Sequence, residues 1–300
     1  MKASSTDSLR LSGLWVYPIK SCSGIELARA EVGRRGIRDD RRWMVVDGEG
    51  RFISQRRHPE LARVRVELEP AGLRVRAPGM PVLTIPADGP GAERRRVTIW
   101  NDRCAAVSAG TQAAAWFGEI LGLRCELVRM ADTEVRQVDR RFARVGEIVG
   151  FADAFPFLML SEASLADLNR RLEKPVPMNR FRPNLVVSGC PPHAEDTWKR
   201  LAIGGVVFRV AKPCARCVIT TVDQETGAGG PEPLRTLAAY RRDGNRVLFG
   251  QNLVHEGEGT LQAGDVVEIL ENGYALNSTW YYMLWFSPRS LPEAPPTRAR

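Results

Sequence analysis

The chain has 300 residues, 44% hydrophobic and 26% charged, which excludes a disordered or fibrous class and leaves room for two domains or lobes. Only five of its 43 basic residues are lysine, so the net charge of +8 is an arginine charge and favours an anionic partner or ligand; scattered arginines and the lack of a groove-reading motif or aromatic platform argue against nucleic acid. Six cysteines are too sparse for a secreted disulfide scaffold, the N-terminus lacks an apolar signal region, and no run of about 18 apolar residues is present, so a cytoplasmic protein with reduced thiols and no membrane anchor is expected.

Residues 1–9 read as a mobile tail. Leu14-Trp15-Val16-Tyr17 reads as a strand closed by Pro18, and Lys20-Ser21 follows. A turn at Gly33-Arg34-Arg35-Gly36 leads to the strand Trp43-Met44-Val45-Val46-Asp47, and Asp47-Gly48-Glu49-Gly50 reads as the turn of a hairpin with Arg51-Phe52-Ile53-Ser54. Val64, Val66 and Leu68 alternate on one face, and Leu73-Arg74-Val75 answers as the partner strand. Val82-Leu83-Thr84-Ile85 and Val97-Thr98-Ile99-Trp100 are further strands, so this half is expected to be antiparallel β.

Thr111 is placed to cap a helix carrying Trp116, Phe117, Ile120 and Leu121, stopped by Gly122. Arg140 to Arg144 reads as a solvated loop. Ser161 caps a second helix with Leu165, Leu168 and Leu172 on one stripe, ending before Pro175. Leu185-Val186-Val187 and Val206 to Val210 resume the sheet; Leu234, Leu237 and Tyr240 mark a third helix, and Asp265 to Leu270 a closing strand. The aromatic run Trp280 to Phe286 is expected to fold back as a cover strand, and the proline-rich residues beyond it to lack structure. No internal repeat is visible. The fold class expected is mainly β with a few helices (α+β).

One stretch carries chemistry: Lys212-Pro213-Cys214-Ala215-Arg216-Cys217, followed by the β-branched run Val218-Ile219-Thr220-Thr221. Pro213 removes a backbone donor and is expected to end the preceding strand. A thiol beside a cation favours its thiolate, the form that ligates a metal or attacks. Zinc needs two more Cys or His ligands, and the three histidines, His58, His193 and His255, lie far apart. A thioredoxin-like pair would open a helix, which the β-branched run disfavours. Two inert buried thiols remain a reading of the residues alone.

The stretch resembles the signature of the MOSC domain, the molybdenum-cofactor-binding module of molybdenum cofactor sulfurase C-terminal regions. It is most similar to the mitochondrial amidoxime-reducing components and their bacterial relatives. Tyr17-Pro18-Ile19-Lys20-Ser21-Cys22, Asp40-Arg41-Arg42-Trp43, Leu160-Ser161-Glu162-Ala163-Ser164-Leu165, Phe181-Arg182-Pro183-Asn184 and Leu248-Phe249-Gly250-Gln251 match the same family in its order. The resemblance implies a MOSC β-barrel over about 131–272 behind an N-terminal β-rich region over about 10–130, with a tail at 273–300.

It further implies a molybdenum cofactor (Mo-molybdopterin) whose metal ligand is Cys217, with Cys214 a packed neighbour and Arg216 helping to keep Cys217 ionised. Lys20, Ser21, Arg41, Arg182 and Asn184 match positions that contact the cofactor, the basic ones through charge-assisted bonds to its phosphate. Asp153 is retained as a candidate proton acceptor or relay, whereas Ala154 and Phe155 stand where the mitochondrial proteins carry hydroxyl residues. The implied activity is reduction of N-hydroxylated compounds (amidoximes, hydroxylamines, N-hydroxylated base analogues), the substrate oxygen being accepted at the metal while two electrons and two protons release amine and water. A sulfur-carrying MOSC protein or a non-enzymatic cofactor-binding protein are the alternatives. No iron–sulfur spacing or dinucleotide-binding turn is present, so electrons are expected from a separate donor protein of ferredoxin, flavodoxin or cytochrome type.

Overall fold

The computed structural model describes residues 8–87 and 93–273. The expected cover strand at Trp280 to Phe286, and most of the expected N-terminal tail, lie outside these residues.

Over the described residues the protein is mostly β, with three α-helices, α1 (Thr111–Leu121), α2 (Glu162–Asn169) and α3 (Leu234–Tyr240). Its largest sheet runs in the order Val267–Asn272, Trp198–Ile203, Val206–Ala215, Arg246–Glu256, Phe157–Ser161, Leu185–Ser188, Arg10–Val16, Ile25–Glu26. Its ends meet: Arg10 bridges Val266, Leu11 N–H donates to the Asp265 carbonyl at 2.8 Å, and Val267 N–H to that of Leu9 at 2.9 Å. Closure satisfies both edges and makes the sheet a barrel. Inward residues such as Leu14, Phe157, Leu185, Leu201 and Phe208 form its buried core. The first strand therefore belongs to the C-terminal barrel, which carries the Tyr17–Ser21 segment directly into it.

The N-terminal half builds a four-stranded sheet, Trp43–Asp47, Cys125–Met130, Asp102–Ser108 and Arg94–Ile99, and a three-stranded one, Arg65–Glu69, Gly72–Arg76 and Leu83–Pro86. Trp43, Val45, Trp116, Phe117 and Leu127 share a core with Ile19 and Cys22, so the 17–22 segment sits between the two halves.

Several local expectations are revised. Gly110, not Thr111, is the N-cap of α1, and no side chain caps it; Gly122 closes it in the left-handed region at φ 64. Ser161 does cap α2, its hydroxyl accepting from Ser164 N–H at 3.0 Å. The helix stops at Asn169, because the Asn169 amide turns to Val176 N–H and C=O at 2.9 and 3.0 Å, so Leu172 lies beyond it. The Asp47 hairpin turn forms, but the return segment makes only single bridges, Phe52 to Val46 and Arg51 to Thr98. Arg246–Glu256 escaped periodicity because nearly all of it is buried, on both faces.

Two revisions shape the functional region. The strand does not end at Pro213: it runs to Ala215, with register shifts between Val210 and Lys212 and between Pro213 and Ala215. Proline is accommodated where the ladder is already broken, and a bulge re-aims the side chains that follow. Behind it, Val218–Thr221 forms one 3-10 turn headed by Cys217, held by the Thr220 and Thr221 hydroxyls donating to the Cys217 and Val218 carbonyls at 3.0 and 2.8 Å.

Candidate functional site

Lys20, Ser21, Arg41, Asp153, Arg182, Asn184, Arg216 and Cys217, drawn from across the sequence, all line one cleft between the barrel and the N-terminal half. Three of them occupy the left-handed region that non-glycine residues avoid: Ser21 at φ 70, Arg41 at φ 46 and Arg182 at φ 55. Such conformations persist only where surrounding contacts impose them, and they cluster at binding sites.

Those contacts are visible. Ser21 is buried, and its carbonyl accepts from Gln55 Nε2 at 2.6 Å; Gln55 and Gln224, both buried, exchange amide hydrogen bonds at 3.2 and 3.1 Å. Arg41 donates to Asp40 Oδ2 at 2.6 Å and to Asn184 Oδ1 at 3.0 Å, and its guanidinium stands 4.1 Å from the Tyr17 ring centroid. Arg182 stands 4.3 Å from the same ring. Tyr17 is itself fixed by donating its hydroxyl to the Pro183 carbonyl at 3.0 Å, and burial pushes that phenol up to about 12. Sequence reading passed over Tyr17 as a strand residue; it is the platform on which both arginines rest.

Asn184 is 1% exposed, and its amide is largely committed within the protein: besides Arg41, it accepts from Leu158 N–H at 3.3 Å and donates to the Trp15 carbonyl at 3.1 Å. It holds Arg41 in place and has little capacity left for a ligand. Arg182 differs. It has no ion pair among the described residues, only a 3.4 Å contact to Gln224 Oε1, and burial pulls its guanidinium down to about 10. A buried cation without an ion pair is suited to receiving an anion.

The two thiols face different partners. Arg216 turns to Cys214, with Nη1 3.0 Å from Sγ, and anchors its other nitrogen on the Phe181 carbonyl at 2.7 Å. The guanidinium within reach of Cys217 belongs to Arg56, whose Nη2 lies 3.5 Å from that sulfur and 3.3 Å from Asp153 Oδ2. Arg56 stacks 4.7 Å above the Trp100 ring, and its Nη1 is buried with no partner. Nothing in the Gln55-Arg56-Arg57-His58 turn signals this role. Its one sequence-level trace is the arginine excess.

Asp153 joins the two halves. It pairs with Lys20, contacts Arg56 and accepts from Trp100 Nε1 at 3.2 Å. Burial opposes its charge, yet Lys20, Arg56 and the Trp100 N–H hold the carboxyl well below the usual carboxylate range. Burial also draws the Lys20 ammonium below the usual lysine range, against the pull of Asp153. The ionised pair is the state that stands, because the carboxylate is half open to solvent in the cleft and has two cations on it.

Six basic side chains line the cleft (Lys20, Arg41, Arg56, Arg182, Lys212, Arg216) against the single carboxylate of Asp153. Among the described residues no three His, Cys, Asp or Glu side chains gather as a metal centre. Among them, too, no helix is long and apolar enough to cross a membrane.

Residues 8–124 match the family model of the MOSC N-terminal beta barrel domain and residues 146–268 that of the MOSC domain. The chain is 35% identical over 277 residues to mitochondrial amidoxime-reducing component 1 of Homo sapiens, covering 86% of this chain and 82% of that protein. Against the Mus musculus protein of the same name it is 37% identical over 276 residues, covering 86% and 81%. It is also 31% identical over 299 residues to molybdenum cofactor sulfurase of Oryza sativa subsp. japonica, covering 90% of this chain but 36% of that protein. Two family models that follow one another along almost the whole folded chain leave one assignment: the chain belongs to the MOSC family, with a MOSC N-terminal β-barrel domain ahead of its MOSC domain.

Proposed function

We propose that the protein is a molybdenum-cofactor-dependent reductase of N-hydroxylated compounds: amidoximes, hydroxylamines and N-hydroxylated base analogues. The observation that carries this reading is the cleft itself, where two thiols, Cys214 and Cys217, are set among six cations with a single opposing carboxylate. The uncompensated Arg182 and the unpartnered Arg56 Nη1 fit a bulky anionic cofactor rather than a neutral one. The similarity to amidoxime-reducing components at 35–37% identity supports the same substrate class.

Cys217 is assigned the metal, since a soft thiolate suits molybdenum better than the harder donors around it. Lys20, Ser21, Arg41 and Arg182 would hold the cofactor phosphate and pterin; each charge-assisted bond contributes about 1.5–3 kcal/mol. When bound, the cofactor would supply the two electrons that cleave the substrate N–O bond, which no side chain of the cleft provides. Asp153 orients Lys20, Arg56 and Trp100 around the sulfur. Held ionised, it receives a proton bound for the product only in passing. Arg216 steadies Cys214 and the Phe181 carbonyl, which places Arg182 next to it in the chain. Electrons come from a separate protein donor.

The test is elemental analysis of purified protein for molybdenum, followed by turnover of benzamidoxime with an artificial one-electron donor. Metal together with turnover is expected. Bound cofactor without turnover would instead mark a cofactor-binding protein, and a cysteine persulfide without metal a sulfur carrier of the kind suggested by the sulfurase similarity.

A further inference from the structure

Lys212 is the cation of the cleft that the cofactor reading leaves unused. It sits at the bulge in Val206–Ala215, opposite Asn252, and lines the cleft beside Ala154, Phe155 and Leu158. Among the described residues it has no ion pair and no hydrogen bond from its ammonium group. Instead its Nζ stands 4.8 Å from the Phe142 ring centroid and 5.5 Å from that of Phe155, two rings packed edge-on at 5.9 Å. Asp139 is the carboxylate that acts on it, but that carboxylate is taken by Arg141 at 2.5 Å, and Arg141 and Arg246 add positive charge at Lys212. Burial holds its ammonium below the usual lysine range. Two aromatic faces offset part of that desolvation, but they cannot replace an anion.

Nor does Lys212 belong to the phosphate cradle. Arg41 and Arg182 are tied together through Tyr17, and Lys20 through Asp153, whereas Lys212 rests on Phe142 and Phe155 of a separate apolar cluster that includes Val138, Ala152 and Val254. What the cleft presents there is an apolar wall of Ala154, Phe155 and Leu158 ending in an unpaired positive charge.

We propose that Lys212, with Phe155 and Ala154 beside it, is the subsite for the body of the substrate, and that it selects N-hydroxylated compounds with a flat apolar body carrying an anionic group, a carboxylate or a phosphate. The proposal rests on the reductase reading above. The aromatic wall takes the ring, and the ammonium donates to the anion in a charge-assisted bond. Selection then appears as a ratio of kcat/KM between anionic and neutral substrates, because a half-buried cation gains more from an anionic partner than from a neutral one.

The experiment uses cofactor-loaded wild type, Lys212→Met and Lys212→Arg. Turnover is measured on benzamidoxime against 4-carboxybenzamidoxime, and on N4-hydroxycytidine against its 5′-monophosphate; binding of the products benzamidine and 4-carboxybenzamidine is measured by calorimetry. Wild type is expected to favour the anionic member of a pair by roughly 10-fold or more, the scale of one charge-assisted hydrogen bond. Lys212→Met should remove that preference with molybdenum content unchanged, and Lys212→Arg should restore most of it. Preference within one pair alone identifies which anion is recognised. An unchanged ratio in Lys212→Met, equal rates on both pairs in wild type, or loss of molybdenum from Lys212→Met would overturn the proposal. If wild type turns over none of the four compounds, the reductase reading fails separately, and the calorimetry still decides Lys212: equal binding of the two amidines would defeat it.

Discussion

Arg56 and Cys217 meet across 161 positions of sequence, and that contact separates two thiols that lie only three residues apart. Replacing Cys217 with serine should remove most of the bound molybdenum and abolish turnover, because a hydroxyl is a harder and far less acidic ligand. Cys214→Ser should retain most of both; equal losses in the two variants would refute the single-ligand assignment. Arg56→Met keeps the stem but removes the guanidinium that touches the sulfur, and outer contacts of this kind typically alter affinity or activity about 10- to 100-fold. Metal content and benzamidoxime turnover of that variant check this. The Asp153 ion pair makes a separate prediction. A carboxyl held below its unfolded value, about 3.9, stabilises the fold above that pH and yields the contribution as the pH falls through the lowered value. Since the carboxylate is half exposed, solvent screening leaves about 1 kcal/mol. Chemical denaturation from pH 7 down to pH 3 should show that acid-side loss in wild type and a flatter profile in Asp153→Asn, which starts less stable at neutral pH. Identical acid limbs would show that the pair contributes nothing.

At the scale of elements, the site depends on how tightly one backbone segment lies on another. Arg41, strained at φ 46, offers its carbonyl to Phe151 N–H at 2.7 Å, while its own N–H donates to the Tyr17 carbonyl at 2.8 Å. A methyl group at Gly150 would stand 2.9 Å from the Arg41 carbonyl oxygen and 3.0 Å from that of Asp40. Gly150→Ala must therefore push the 40–41 turn outward, at a cost of about 2 kcal/mol in overpacking. The same shift displaces the Arg41 guanidinium, so molybdopterin content should fall together with the denaturation midpoint. A Gly150→Ala protein with a wild-type midpoint and full cofactor would show that the turn is soft. The bulge at Lys212 and Pro213 belongs to this scale as well. It lets a ten-residue strand carry a proline and still deliver Cys214 and Arg216 to the cleft.

For the whole molecule, the arrangement is a closed barrel whose first strand comes from the N-terminus, with the N-terminal half supplying Arg56 to the cleft wall and setting Phe52 against Lys20 and Trp100 against Arg56 and Asp153. Phe52 and Trp100 pack at 5.0 Å, and the Lys20 ammonium stands 5.3 Å from the Phe52 ring. The net charge of +8 suits an acidic electron-donor protein, whose encounter with a basic surface is steered electrostatically. NADH alone should support no turnover of an amidoxime, while an artificial one-electron donor should. With an acidic protein donor the rate should fall as salt rises from about 50 to 500 mM, as screening shortens the reach of surface charge. Turnover with NADH alone would defeat the separate-donor reading, and a salt-independent rate would defeat the electrostatic docking.

The sequence by itself determined what depends on near neighbours. Alternation and turn residues marked many of the strands, Ser161 marked its helix start, and the ordered motifs around Lys20, Arg41, Arg182 and Cys217 named residues that prove to share one cleft. These signals are local: a strand's period, a cap or a motif survives in the chain whatever its distant partners are. Only the tertiary structure decided which cation meets which thiol, that Asn184 is committed to Arg41, that Tyr17 carries two arginines, and that Lys212 is left without a counter-charge. Those facts depend on long-range packing: barrel closure joins Arg10 to Ser188 and Val266, and the turn at Arg56 comes against Cys217, 161 residues away. Spacing along a chain does not encode such distances, because they follow from packing summed over the whole fold.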